Sequence, residues 1–380
     1  LKPLMQAEAQ AQMARHVGWL SSAYTAGILL GALFWGVISD CHGRRPVLLL
    51  GMAGYVVSLV PLIDPGTIGL AAIYASRTAT GFFVSAVVPI VPAMVAEHSP
   101  GALRAKRFAW LSALSLLGFL MGPALSAGGI WLSQAMSPLI AWPPTRWVVY
   151  ACMTLGGGMM LGLAYSLPHP SARPWASEPS VAAHPTGSVP QASGRRRTHT
   201  LWTLNALVML SLAGFELGIV LMGQTHAGLS PQNISLMFAE CSLVMLLING
   251  VLFFTGWLQK AAGKSLLAGG SALAIAGLAL LAQHPTDDWI YFGIALTSGG
   301  TGLVLPAISY LAAGTAQKRL GMTMGGLASA AGLGQTAGAS LAGVLFGSAT
   351  QLAFAWLTLP LLAVLMVALA CHLDSTGPEY

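Results

Sequence analysis

Charge is what this sequence lacks. Only 7% of its 380 residues are charged, 17 of them basic and 11 acidic, where a soluble domain has about a quarter. So few charges cannot clothe a chain of this length in water, which excludes a soluble globular protein. Cysteine is scarce too. Cys41, Cys152, Cys241 and Cys371 show no close spacing, so neither a disulfide nor a thiolate-rich metal site is expected. The runs beginning at Gly156 and Gly269 lack the Lys-Ser/Thr ending of a phosphate loop, and no pair of His residues has zinc-enzyme spacing. No nucleophile–base set is visible. We therefore expect no enzyme, no cofactor, no metal and no ATP-driven chemistry. The net charge of +6 falls in short segments between apolar runs, which points to membrane topology and not to nucleic acid.

Hydrophobic residues make up 55% of the chain and Gly alone numbers 45. Mean hydropathy is +0.72. A bilayer core of about 30 Å takes roughly 20 helical residues. Spans are expected at 17–39, 46–63, 69–95, 108–132, 147–167, 200–222, 232–256, 265–283, 288–312, 321–347 and 350–372. The apolar runs are too long for a β-barrel, whose strands alternate over about ten residues. The fold class is an all-α polytopic membrane protein. Thirteen basic residues, from Arg44 to Arg319, fall after alternate spans; only Lys2, Arg15 and Arg146 fall on the other side, and Arg77 lies within a span. The rich side is cytoplasmic by the positive-inside rule, which places the C-terminus there. Eight Trp residues lie largely near helix ends, as interfacial aromatics do.

Residues 169–199 are rich in Pro, Ser, Ala and Gly and end in Arg195–Arg197. Such a composition cannot pack a core, so it reads as a flexible cytoplasmic linker. It separates a first bundle (1–168) from a second (200–373), with a short tail at 374–380. The halves echo each other. Gly36 to Arg44 matches Gly256 to Lys264 at an offset of 220, and Gly118/Gly122 matches Gly334/Gly338 at 216. Parallel repeats of this kind occur in transporters whose halves rock about a central site. The offset also places a partner for span 200–222 before residue 1, so eleven helices of an expected twelve are present.

The first loop carries a resemblance. Gly36-Val-Ile-Ser-Asp40-Cys-His-Gly43-Arg44-Arg45 resembles the cytoplasmic loop 2–3 motif of the major facilitator superfamily, with Cys41 where a basic residue is usual. Arg77-Thr-Ala-Thr-Gly81 is similar to the fourth-helix motif of proton-coupled members. Gly118-Phe-Leu-Met-Gly122-Pro123 resembles the fifth-helix motif of drug:proton antiporters, with Ser126 and Ala127 in place of its closing glycines. The resemblance implies a two-bundle fold, small-molecule and proton traffic, a lipid surround, a monomer, and a multi-pass location in a bacterial inner or plasma membrane.

Residue chemistry supplies candidate sites beside that resemblance. Asp40 ends a helix, where it can latch a facing helix N-terminus or cap its own; the family pattern puts that terminus near Gly321–Gly325. Gly36, Gly43, Arg44, Arg45, Glu97 and Arg104 complete this candidate gate, although solvation alone also accounts for the last two. Arg77 is an intramembrane charge, which is costly and faces an interior or a cavity; it serves a proton relay or a structural hydrogen bond. Glu216 and Glu240 are carboxyls in apolar runs, suited to carrying protons or meeting a cationic substrate, or else neutral acids bonded between helices. Gly118, Gly122 and Pro123 loosen their helix and shape a cavity or simply pack. Asn205 and Asn249 read as ordinary contacts between helices. Lys260 occupies the repeat position of Asp40, so any gate is asymmetric. The leading reading is proton-coupled export of a small amphipathic or cationic compound. Import of a nutrient and a non-transporting receptor are the alternatives.

Overall fold

A computed structural model describes residues 2–97, 101–136, 142–167, 191–225, 231–255, 263–283, 287–315, 320–349 and 352–370. Residues 168–190, which include most of the linker expected at 169–199, the C-terminal tail and Arg173, Lys260, Lys318 and Arg319 lie outside the described residues. All regular structure among the described residues is helical, and every expected span has its helix. Nine described segments are long and apolar enough to cross a membrane. The other two expected spans, 108–132 and 321–347, lie in helices of 36 and 30 residues.

The first half contains α1 (Lys2–His42), α2 (Arg44–Leu59), α3 (Leu70–Val84), α4 (Val87–Glu97), α5 (Gly101–Met136) and α6 (Pro144–Ser166). The second contains α7 (Gln191–Thr225), α8 (Pro231–Thr255), α9 (Gly263–Gln283), α10 (Asp287–Thr315), α11 (Leu320–Ala349), α12 (Leu352–Trp356) and α13 (Thr358–Ala370). Two boundaries move outward from the expected ones. Residues 2–16 are the first turns of α1, whose 41 residues extend about 60 Å at 1.5 Å each, twice a bilayer core. Likewise α7 starts at Gln191, inside the stretch read as linker, so Arg195–Arg197 belong to a helix. Apolar content marks where a helix is buried in lipid, and not where its backbone stops hydrogen-bonding.

Two expected spans are each broken once, and proline explains both. Span 69–95 divides at Ser85–Ala86. Pro89 has no N–H for the Ser85 carbonyl, and that carbonyl takes the Val88 N–H instead, at 3.1 Å. The last span divides at Leu357, where Pro360 leaves the Trp356 carbonyl without its helical donor.

The repeat makes α8 the counterpart of α1 and α11 the counterpart of α5. The halves meet along two seams, α1 against α11 and α5 against α8, so each seam is the image of the other. Within the second half, α11 lies backbone-to-backbone on α7. A Cβ on Gly334 or Gly338 would strike the Ala206 or Leu210 carbonyl. Asn205 Nδ2 donates to Leu327 O at 2.9 Å and Trp202 Nε1 to Thr323 O at 3.0 Å. Asn205 thus joins helices as expected. Asn249 does not: its amide donates to Met245 O of its own helix at 2.8 Å. The second half holds an extensive buried core, whereas the first half's cluster is confined to Trp35, Val47, Leu48, Ala86 and Ile90.

Candidate functional site

The α1–α11 seam is built from small residues, and its tightness is graded. Pairs run antiparallel, from Ala11 with Gly347 through Gly18 with Gly343 to Leu29 with Gly332. A Cβ on Gly18 would lie 2.7 Å from Gly343 Cα, which no side chain tolerates. At Gly332 the nearest Leu29 atom is 3.4 Å away, an ordinary contact, and at Gly325 nothing lies within 4 Å. The helices therefore touch near the start of α1 and part toward its end. Hydroxyls fill the closed stretch. Ser22 Oγ donates to Thr336 O at 2.9 Å, Ser340 Oγ donates to Ser22 Oγ at 2.7 Å, and the Thr25 and Thr336 hydroxyls lie 3.0 Å apart. Sequence reading missed these four residues. Their three- and four-residue spacing places them on one helix face, but only the partner helix shows which face matters.

An open cleft of 330 Å³ lies at the α5–α8 seam, lined by Gly122, Pro123, Ser126, Val220, Ile234, Ser235 and Phe238. The fifth-helix motif thus lines a cavity: Gly122 and Pro123 are on its wall, although α5 continues through Pro123. Gly118 faces open space.

Glu216 lies on the α7 stripe that also carries Met209 and Val220, seven and four residues away, hence on one face. Met209 Sδ meets Gln335 Nε2 at 3.7 Å, and Val220 lines the cleft. Glu216 sits between them, half-buried, with no hydrogen-bond partner among the described residues. Glu240 on α8 has Oε2 buried and unpartnered there. Both carboxyls lie near enough to the buried Cys241 for their charge to be felt at its thiol. The structure therefore gathers the two acids into one neighbourhood of the second half.

Arg77 is elsewhere. Its Cζ lies over the Tyr24 ring, 4.9 Å from the centroid. Among the described residues it has no carboxylate partner. The cation–π contact had no sequence signal, since Tyr24 and Arg77 are 53 residues apart.

The candidate gate residues collect at one end of the first bundle, where α1 and α4 finish and α2 and α5 begin. Gly43 is the single residue between α1 and α2. It has φ +88°, ψ 154°, a conformation that glycine alone adopts readily. Gly36 is less constrained, because a Cβ there would meet Pro89 only at 3.7 Å. Arg44 Nη1 donates to Ser39 Oγ at 2.6 Å. Arg45 Nη2 donates to Ala164 O at 2.5 Å, fastening a cation to the last turn of α6, where the helix dipole favours it. Asp40 is in the last turn of α1, Glu97 ends α4, and Arg104 is in the first turn of α5. Their side chains lie outside the described residues. At the opposite end Arg146 Nη2 pairs with Asp64 Oδ2 at 2.7 Å.

Comparison with known proteins agrees with this architecture. The Major Facilitator Superfamily profile matches residues 3–296. The chain is 27% identical over 300 residues to the class C tetracycline resistance protein of Escherichia coli, covering 78% of this chain and 71% of that one. It is 32% identical over 143 residues to the class G tetracycline resistance protein of Vibrio anguillarum, covering 37% and 34%. A crystal structure of the human organic anion transporter shares 22% identity at TM-score 0.66, covering 92% of this chain and 83% of that one. A D-xylose–proton symporter shares 15% at TM-score 0.70, covering 95% and 87%. A profile match over most of its length, with the same overall fold in solved transporters, shows that this chain belongs to the Major Facilitator Superfamily of multi-pass membrane transporters.

Proposed function

We propose that the protein is a secondary active exporter that exchanges a small amphipathic or cationic compound for protons. The graded α1–α11 seam carries this reading. Two helices held by glycine contacts and hydroxyls at one end, and apart at the other, form a joint that can close at either end as the halves rock. With the basic loops cytoplasmic, the closed end is the outer one, the C-terminus is inside, and this arrangement faces inward. Similarity to two tetracycline resistance proteins favours export.

In this reading Glu216 and Glu240 alternately hold a proton and meet the substrate. Asp40 and its neighbours Gly36, Gly43, Arg44, Arg45, Glu97 and Arg104 latch the inner end when the outer seam opens. Gly118, Gly122 and Pro123 keep the α5–α8 seam compliant. The test is efflux of tetracycline and a cationic dye panel from cells with and without a proton gradient. Glu216→Gln or Glu240→Gln is expected to remove gradient dependence while the protein still inserts. Unchanged dependence in both variants sinks the coupling assignment. Gradient-driven accumulation inside the cell points to import instead, a reading kept open by the incomplete ending of the fifth-helix motif.

A further inference from the structure

Helix α11 is gripped on two sides. Gly334 and Gly338 meet the backbone of α7, while Thr336, Ser340 and Gly343 meet α1. Two faces remain between those contacts. One carries Leu333, Leu341 and Val344, all exposed, and looks to lipid. The opposite face carries Ala328, Ala331, Gln335, Ala339 and Ala342, and its exposure falls along the helix. Ala328 is exposed, Ala331 and Gln335 are half-buried, and Ala339 and Ala342 are fully buried. An opening that starts at the first turns of α11 therefore ends just past Gln335, beside the Thr25–Thr336 hydroxyl pair. The side chain at that end is polar and poorly satisfied. Gln335 Nε2 reaches across to Met209 Sδ at 3.7 Å and has no other hydrogen-bond partner among the described residues. A thioether is a weak acceptor, so the contact aims the amide without meeting its needs. It aims it at the α7 stripe that carries Glu216, which lies about 10 Å beyond Met209 along the helix.

We propose that Gln335 is a substrate-contacting residue at the end of the inward-facing space, where its amide donates a hydrogen bond to an acceptor oxygen of the transported compound. This rests on the transport reading above and sharpens its amphipathic class. The compound carries a cationic group for Glu216 and an acceptor oxygen about 10 Å from it. Exchanging the thioether for an oxygen strengthens the amide's hydrogen bond, and only compounds with an acceptor obtain that gain. Gln335 thus sets specificity, while Glu216 attracts cations in general. Because Thr336, the next residue, is bonded to α1, a compound held at Gln335 lies against the closed part of the seam.

The test needs no gradient and no transport. Purified full-length protein in nanodiscs is titrated with tetracycline, which has a basic nitrogen and several acceptor oxygens, and with tetraphenylphosphonium, a cation that accepts no hydrogen bond. Gln335→Met keeps the volume of the side chain and removes the amide. It is expected to weaken tetracycline binding about tenfold, the effect of one hydrogen bond, and to leave tetraphenylphosphonium binding and the melting temperature unchanged. Ala331→Phe, one turn nearer the opening, should weaken both probes by bulk. Equal loss of both probes in Gln335→Met, loss of neither, no binding of tetracycline to the parent protein, or full affinity for both in Ala331→Phe overturns the proposal. Efflux that ignores the proton gradient, with discrimination by Gln335 intact, would fall on the exporter reading alone.

Discussion

At the residue scale, the junction of α1 and α2 separates two glycines that look alike in the motif. Gly43 has φ +88°, whereas Gly36 has room for a Cβ against Pro89. Gly43→Ala is therefore expected to cost about 1–3 kcal/mol of backbone strain, and Gly36→Ala to be nearly neutral. Thermal unfolding of the two purified variants measures the contrast, and equal melting shifts contradict it. The motif was legible in the sequence, but which glycine serves conformation and which serves helix approach was not. That depends on a dihedral angle and on the neighbour across the gap. Arg45 makes the same point. Its place in the motif was legible, and its contact with the Ala164 carbonyl, 119 residues away, was not.

Among the elements, the two seams govern motion. The Ser22 and Ser340 side-chain oxygens are 2.7 Å apart, so sulfur atoms placed there come within bonding reach. In a background with the four native cysteines replaced by Ser, Ser22→Cys with Ser340→Cys is expected to form a disulfide under oxidant. Export should stop and return on reduction. Export that continues through the oxidised pair means this seam does not open during transport. Gly343→Leu tests the same surface by bulk, since a Cβ there already meets the Gly18 backbone and the Ala14 carbonyl; reduced export with normal membrane insertion is expected. Small residues in span 321–347 announced close helix contact. Their partner was not legible, because Gly334 and Gly338 serve α7 while Gly332 and Gly343 serve α1. The breaks at α3–α4 and α12–α13 were not legible either: a missing N–H is a local property, yet Pro92, Pro123 and Pro306 lie inside continuous helices.

For the whole molecule, the proposed rocking of two halves moves both seams together. A short bifunctional thiol reagent joining Ser126→Cys to Ser235→Cys across the α5–α8 cleft should arrest export as the α1–α11 disulfide does. Full activity after cross-linking one seam alone would separate the two motions and contradict a rigid rocking of halves. The sequence by itself determined the membrane setting, the helical class and the positions of the spans. Those follow from short-range physics: apolar runs must be helical in lipid, and similar segments fold alike. Only the tertiary structure decided which helices form the seams and at which end they close. It alone gathered Glu216 and Glu240 around Cys241 and laid Arg77 on Tyr24 instead of a carboxylate. These outcomes depend on helix rotation and on contacts between distant segments. A span's hydropathy carries little of that information, because a lipid-facing residue and a packed one are equally apolar.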